Sequence, residues 1–192
     1  MEKYKWWLLL LLLFVVPLYP KFPLVGIGGT FVSIRIEDFV IGVVLLICIA
    51  SNIIDKFKLF RNPIGVAILL YWAVGFVSIF AGILLTKTSG LNLGFLHYLR
   101  RIEYMSMYFV GYWAVSNIKQ LSNLVRMVLL VGLIVAIYGL GQQFLSWPII
   151  STTNSEFAKG LALTLGPGAR INSTFAGHYD LAAFSLIPLL LI

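Results

Sequence analysis

Long apolar runs alternate with short polar segments along the whole 192-residue sequence. A helix needs about 20 apolar residues to cross the roughly 30 Å hydrocarbon layer of a membrane, and the run Ile64–Leu85 reaches that length. We therefore predict an all-α fold, a polytopic transmembrane helical bundle of five full spans plus a truncated sixth, in a single domain over 1–192. The predicted spans are 6–19, 39–54, 64–85, 96–115, 127–144 and 181–192, with 145–180 as the longest loop.

The first and last apolar runs are short. Two lysines precede Trp6–Val16 in the order of a secretory signal, but 17–20 (Pro-Leu-Tyr-Pro) stands where small residues would permit cleavage. We therefore predict an uncleaved first helix. The twelve residues of 181–192 extend only about 18 Å as a helix, too little to cross a membrane. We accordingly expect the natural protein to be longer and this chain to be its amino-terminal part.

Basic residues are distributed unequally among the connecting segments. Segments 1–5, 55–63 and 116–126 hold seven Lys and Arg in 25 positions, whereas 20–38, 86–96 and 145–180 hold five in 66. Lys and Arg accumulate on the cytoplasmic side of membrane proteins, so the first set, including the amino terminus, is predicted to be cytoplasmic. The longest loop would then lie on the outer side.

The composition agrees with a lipid environment. Apolar residues make up 60% of the chain, charged residues 11%, and the mean hydropathy is +0.98, whereas soluble domains carry about a quarter charged residues. The net charge of +7 is spread over short segments between apolar runs, which indicates membrane lipids rather than nucleic acid as partners. Cys48 is the only cysteine and no two histidines are close, so no disulfide framework, metal site or cofactor is predicted.

The fourth span contains charged residues. An arginine inside a span costs at least about 2.5 to 3.5 kcal/mol, so Arg100 and Arg101 need a partner, a water-filled cavity or a shallow position. Helical spacing places Glu103 beside Arg100, and places His97 and Tyr104 on the face of Arg101. This face could bind an external anion such as a diphosphate. Alternatively, both arginines extend to lipid head groups.

The outer loop ends in a segment of small and polar residues. Glycines and a proline at 166–168 predict a turn, after which Arg170-Ile171-Asn172-Ser173-Thr174-Phe175-Ala176-Gly177-His178 leads to the sixth span. The amino terminus of that helix would face outward, where its free amides favour an anion. His178 is either a general base or phosphate donor, or a hydrogen-bonded loop residue. Asp180 is predicted to cap the sixth helix rather than to act as a base.

A second charged cluster, Arg35, Glu37 and Asp38, is predicted on the outer side before the second span. Asp38 is positioned to cap the first amides of that helix. Arg35 and Glu37 leave two alternatives open. They either pair with Arg170 or Arg101 across the outer face, or they are simply solvated.

Three elements resemble a known family. They are Arg-Ile-Glu-Asp at 35–38, Leu-Arg-Arg-Ile-Glu-Tyr at 99–104, and the Arg170–His178 segment. With the order of spans, they resemble the amino-terminal half of the O-antigen ligase and O-antigen polymerase (Wzy/WaaL-like) proteins, over essentially all 192 residues. The Arg170–His178 segment is the most specific part. Many family members have proline and asparagine in the turn where this chain has 177–180 (Gly-His-Tyr-Asp), a departure that bears on any catalytic role for His178.

The resemblance implies a membrane-embedded glycosyltransferase, similar to the GT-C type, acting without a metal on the outer side of the cell (inner) membrane in surface polysaccharide or lipopolysaccharide synthesis. The donor would be a glycan on a polyprenyl diphosphate such as undecaprenyl diphosphate, and the acceptor a hydroxyl of a glycan or lipid. The residues implied are Arg170, Arg101, Arg100 and Arg35 for the diphosphate, His97, Glu103, Tyr104 and Asp180 in support, and His178 as the candidate catalytic residue. A general base is expected in a further carboxy-terminal part.

Two other classes of protein compete with this interpretation. A transporter or flippase would carry ionisable groups in several spans near the middle of the membrane, whereas here they cluster at the outer end of one span. A non-catalytic assembly subunit would use its arginines only to anchor lipid. The sequence leaves open the choice between ligase and polymerase, the glycan, the acceptor and the oligomeric state.

Overall fold

The computed structural model describes residues 3–22, 24–26, 33–54, 58–85, 90–149, 164–166 and 168–192. Within these residues the α-helices are α1 (Lys3–Leu18), α2 (Ile36–Ile54), α3 (Pro63–Phe80), α4 (Leu91–Ala114), α5 (Ile118–Phe144) and α6 (His178–Leu191). The shorter elements are an antiparallel pair of two-residue strands, β1 (Val25–Gly26) and β2 (Ser33–Ile34), a 3₁₀ helix (Lys58–Phe60) and a π-helical turn (Ala81–Leu85). The prediction of a helical fold is confirmed.

Three of these helices are long and apolar enough to cross a membrane: α2, α3 with its π-helical extension, and α5. Helix α4 has 24 residues but carries two arginines and a glutamate, and α6 has 14. These properties are consistent with a membrane protein. The total of five full spans plus a sixth stays a prediction.

The surface of α3 is apolar and largely exposed. Apolar side chains protrude on most of its sides, and Leu70 and Val74 are 62% and 68% exposed. A helix that is apolar on all sides is stable only when protein or hydrocarbon surrounds it. The apolar composition of α3 is therefore matched by an apolar surface that the rest of its unit does not cover.

The chain divides into two compact units, unit 1 with residues 1–5 and 41–116 and unit 2 with residues 6–40 and 117–192. In unit 1, α3 packs against α4. The Trp72 and Phe109 rings lie 5.9 Å apart, and the Tyr98 hydroxyl of α4 donates to the Trp72 carbonyl at 2.7 Å. Aromatic packing and this hydrogen bond hold the two helices together.

Local sequence explains where α3 begins. Asn62 occupies the N-cap position, its side-chain oxygen accepts the Gly65 N–H at 2.7 Å, and Pro63 stands at the first helical position. Proline suits that position because its missing N–H would have no helical partner there. The Tyr108 hydroxyl of α4 also donates to Asn62 Oδ1 at 3.0 Å, so the cap of one helix is tied to its neighbour.

In unit 2, the core forms around α5. Val131 and Val135 are buried with Phe175, and apolar side chains of α1 and α6 pack around them. The Phe175 ring lies 5.1 Å from the ring of Phe184 in α6. A residue of the Arg170–His178 segment is therefore a core residue of this unit.

Glycines on α5 allow close approach of neighbouring elements, as small residues on a membrane helix predict. A Cβ added at Gly132 would lie 3.0 Å from a proline of α6. One at Gly139 would lie 2.9 Å from Ile171 Cγ2, and one at Gly141 only 2.2 Å from the Trp147 ring. The surfaces that meet α5 at these points leave no room for a side chain.

The prediction that Asp38 caps the second span is wrong. Helix α2 begins at Ile36, two residues before Asp38. The Asp38 carboxylate instead accepts the Arg35 N–H at 2.9 Å. This is the return bond of a capping box, in which the third helical residue reaches back to the residue before the helix.

The prediction that Asp180 caps the sixth helix is also wrong. Helix α6 begins at His178, and Gly177 is its N-cap, with no side-chain hydrogen bond to the first amides. Asp180 lies in the first turn and is exposed. Its negative charge there still favours the positive end of the helix dipole.

We expect Gly141→Ala to lower the free energy of unfolding by about 1 to 3 kcal/mol, because the new Cβ would overlap the Trp147 ring. Gly111→Ala in α4 is the matched control, since nothing lies within 4 Å of its added Cβ. Alanine favours helix more than glycine by about 1 kcal/mol, so this control should be neutral or stabilising. Denaturant unfolding in detergent micelles measures both variants, and equal destabilisation would contradict the packing of Trp147 on α5.

Candidate functional site

The Arg170–His178 segment is buried in its middle and exposed at its ends. Ser173 and Phe175 are buried, whereas Arg170 is exposed and His178 partly exposed. The buried part fixes the path of the chain. Two polar side chains therefore protrude from a segment that the core of unit 2 anchors.

The two protruding side chains contact each other. Arg170 Nη1 lies 3.2 Å from His178 Nε2. Because a guanidinium has only donors, the arginine donates and Nε2 must be the unprotonated acceptor nitrogen of a neutral imidazole. The contact sets the histidine tautomer and holds a permanent cation beside a potential base.

The middle of the segment is held by Gln142 of α5, a residue that the sequence analysis missed. The Ser173 N–H donates to Gln142 Oε1 at 2.7 Å, and Gln142 Nε2 donates back to the Ser173 carbonyl at 2.8 Å. The Ser173 hydroxyl donates to the Val135 carbonyl at 2.7 Å. The only signal in the sequence is a pair of glutamines at the end of an apolar run.

The segment also contacts the end of α1. The Thr174 hydroxyl donates to the Pro17 carbonyl at 2.5 Å. Since Pro20 has no N–H, the Val16 carbonyl lacks its helical partner, and the Lys21 ammonium donates to it at 2.5 Å. The Thr174 and Lys21 side chains therefore donate hydrogen bonds to two backbone carbonyls at the carboxy-terminal end of α1.

Lys21, another residue that the sequence analysis missed, is 4% exposed and forms an ion pair with Glu37. Burial lowers the pKa of the Lys21 ammonium, and the adjacent Glu37 carboxylate opposes that change. Arg35 Nη1 lies 3.1 Å from the other Glu37 oxygen. The alternative in which Arg35 and Glu37 are simply solvated is therefore wrong. The two residues pair with each other, and Glu37 also pairs with Lys21.

A cavity of about 200 Å³ lies beside the segment. It is lined by Leu18, Pro20, Ile134, Tyr138, Pro148, Ser173 and Thr174. The lining is mainly apolar, and the Tyr138 hydroxyl donates to the Pro148 carbonyl at 2.9 Å. A water molecule takes about 30 Å³ in the liquid, so the cavity has room for a small apolar group.

The charged residues of α4 belong to unit 1. His97, Arg101 and Tyr104 are all exposed, with Tyr104 at 64%. Arg100 is partly exposed, and its guanidinium carbon lies 6.0 Å from the Tyr104 ring centroid, at the outer limit of a cation–π contact. Glu103 is partly exposed, and its carbonyl accepts the Ser106 hydroxyl at 2.6 Å. The predicted face of α4 is thus accessible to a ligand or to lipid.

The groups at the Arg170–His178 segment suit an anion. They comprise a guanidinium, a neutral imidazole and the first amides of α6, which have no side-chain cap. Among the residues that the structure describes, no three His, Cys, Asp or Glu side chains gather where they could hold a metal ion.

Comparisons with models of known protein families, with curated proteins and with solved structures find no match to this chain.

We expect Glu37→Gln to lower the free energy of unfolding by about 3 kcal/mol, because it leaves the buried Lys21 ammonium without its carboxylate. The double variant Lys21→Met with Glu37→Gln should recover part of that loss, since the unpaired charge is then gone. Denaturant unfolding at neutral pH measures both. A double variant less stable than Glu37→Gln would contradict the buried ion pair.

The Glu37→Gln variant should also gain stability as the pH rises. A folded-state pKa of Lys21 below the ordinary 10.5 means that the unfolded chain binds more protons between the two values. The free energy of unfolding therefore rises with pH in that alkaline window. Lys21→Met with Glu37→Gln is the control, and its stability should lack this part of the pH dependence.

Proposed function

We propose that this chain belongs to a membrane glycosyltransferase of the O-antigen ligase and polymerase type, similar to GT-C enzymes. Such an enzyme transfers a glycan from a polyprenyl diphosphate carrier to an acceptor hydroxyl of a glycan or lipid. The observation that carries the proposal is the Arg170–His178 contact at 3.2 Å, at the uncapped amino terminus of α6. The same segment carries the most specific part of the sequence resemblance.

The chemistry of the leaving group explains why an arginine is needed. As the bond between the sugar and the diphosphate breaks, negative charge develops on the phosphate oxygens. The planar guanidinium of Arg170 binds two such oxygens at once, and the first amides of α6 add donors. Asp180 brings a negative charge to the same turn, so attraction of an anion depends chiefly on Arg170.

His178 has a role that follows from its contact with Arg170. In the free protein its Nε2 accepts a hydrogen bond from the guanidinium. When a diphosphate binds the guanidinium, Nε2 becomes available as a proton acceptor. Transfer then forms a bond between the sugar and the acceptor oxygen, breaks the sugar–diphosphate bond and moves the hydroxyl proton to a general base, which is either His178 or a residue of the further carboxy-terminal part.

Arg101 is our second candidate for a contact with the anionic part of the substrate. Its exposure beside His97 and Tyr104 on α4 supports this role. Arg100 and Glu103 are placed in support. Arg35 forms an ion pair with Glu37. We therefore assign Arg35 to stabilising the start of α2 rather than to binding the diphosphate.

The proposed setting is the cell (inner) membrane, with a cytoplasmic amino terminus and the Arg170–His178 segment on the outer side. The unequal distribution of Lys and Arg supports this orientation. In this arrangement the six helices are the predicted spans of one transmembrane domain. A carrier lipid in the outer half of the bilayer would present its diphosphate at the depth of the head groups.

We expect Arg170→Ala in the full-length protein to reduce glycan transfer by about 100-fold or more, because a donor to the transition-state charge is lost. Arg101→Ala should also reduce transfer, whereas Arg126→Ala is the matched control at an exposed arginine. Transfer from a polyprenyl diphosphate donor in isolated membranes is the measurement, with protein level checked for each variant. Unchanged transfer in both Arg170→Ala and Arg101→Ala would exclude the proposed roles.

The orientation has its own test. In a Cys48→Ala background, we expect Thr164→Cys to react with a membrane-impermeant maleimide in intact cells, and Ser122→Cys to react only after the membrane is opened. Both positions are exposed in the structure, so accessibility to the reagent depends on the side of the membrane. The reverse pattern would place the Arg170–His178 segment in the cytoplasm and refute the outward site.

A further inference from the structure

Gln142 is a neutral polar side chain buried within an apolar environment. It is 2% exposed, and no functional residue predicted from the sequence lies on its helix. Burying an amide is unfavourable unless its donors and acceptor are paired. Here Oε1 accepts the Ser173 N–H, and Nε2 donates to the carbonyls of Ser173 and Pro148 at 2.8 and 3.1 Å. The side chain thus pairs both backbone groups of a single residue across the unit.

Ser173 needs this support because of its backbone conformation. Its φ of 53° lies in the left-handed region, which is unfavourable for a residue with a Cβ by roughly 1 to 2 kcal/mol. Such a conformation persists only where the surroundings determine it. The Gln142 side chain hydrogen-bonds to the Ser173 N–H and carbonyl, and the Val135 carbonyl accepts a hydrogen bond from the Ser173 hydroxyl. Three hydrogen bonds therefore hold Ser173 in place.

The Ser173 turn determines how the exposed ends of the segment meet. After the turn, the Phe175 N–H donates to the Asn172 carbonyl at 3.1 Å, and the Phe175 ring enters the core. Arg170 is exposed, so its own packing does not fix its position. The separation between Arg170 and His178 is therefore set by the buried residues between them.

We infer that Gln142 is a positioning residue, whose amide fixes the Ser173 turn and thereby holds the Arg170 guanidinium against the His178 imidazole. The inference deepens the proposed function, on which its consequence for transfer rests. In this inference Gln142 acts on the two side chains indirectly, through its hydrogen bonds to Ser173.

The first test reads the geometry directly, without any assay of transfer. The protein is labelled with ¹⁵N-histidine in lipid nanodiscs, and His178→Asn identifies the His178 signal. The Arg170→Met variant gives the position of the His178 signal when the contact with Arg170 is absent. We expect Gln142→Met, similar in volume but without hydrogen-bonding groups, to move the His178 Nε2 signal to the Arg170→Met position.

Two further variants separate positioning from general stability. Gln143→Met is the matched control, since Gln143 is an exposed neighbour on the same helix, and it should leave the His178 signal unchanged. Gln142→Asn keeps a buried amide but withdraws it from Ser173 by one methylene, so it should also move the signal. It serves as the test if Gln142→Met does not fold. An unchanged His178 signal in a folded Gln142→Asn or Gln142→Met protein overturns the inference.

The second test measures transfer by the full-length protein and keeps the two proposals distinguishable. We expect Gln142→Met to lower kcat by about 10- to 100-fold, with little change in KM for the donor, because a displaced Arg170 no longer meets the developing charge. If the His178 signal moves but Arg170→Ala transfers glycan normally, the positioning stands and the proposed function fails. If Arg170→Ala abolishes transfer while Gln142→Met and Gln142→Asn alter neither signal nor kcat, the proposed function stands and the positioning fails.

Discussion

In unit 2, polar side chains pair with backbone groups at the points where the regular hydrogen bonding of the helices is interrupted. A buried carbonyl or N–H that lacks a hydrogen-bond partner is costly, because water cannot reach it. The prolines at the end of α1 and the left-handed turn at Ser173 each interrupt the regular backbone hydrogen bonding. Side chains of Lys21, Thr174 and Gln142 complete the pairing, and tertiary contacts in this unit follow from that requirement.

The same requirement separates two kinds of polar residue. Lys21, Glu37 and Gln142 are buried, and their polar atoms are used within the protein. Arg170 and His178 hold each other at the surface, where a ligand can reach them. A buried charge or amide here supports the fold, whereas an exposed cation beside an uncapped helix start is accessible to an anion.

Apolar runs predicted the helical fold, because the length and composition of a long apolar helix can be read from local sequence. The capping assignments of Asp38 and Asp180 failed because each helix begins three residues earlier than the apolar pattern indicates. Gln142 and Lys21 were missed for another reason. Their partners are set by tertiary contacts, such as Gln142 with Ser173 at a separation of 31 residues, and no local pattern indicates which polar side chain will be buried.

The hydrogen bond between Thr174 and the Pro17 carbonyl joins positions 157 residues apart. A ribosome makes the first helix long before it makes Thr174, at roughly 5 to 20 residues per second. During synthesis the Pro17 carbonyl therefore lacks the Thr174 donor for many seconds. In that time another hydrogen-bond donor, such as water, a lipid head group or the insertion machinery, must pair with it. The surface that presents Arg170 can therefore be completed only after all the residues between Pro17 and Thr174 have been made.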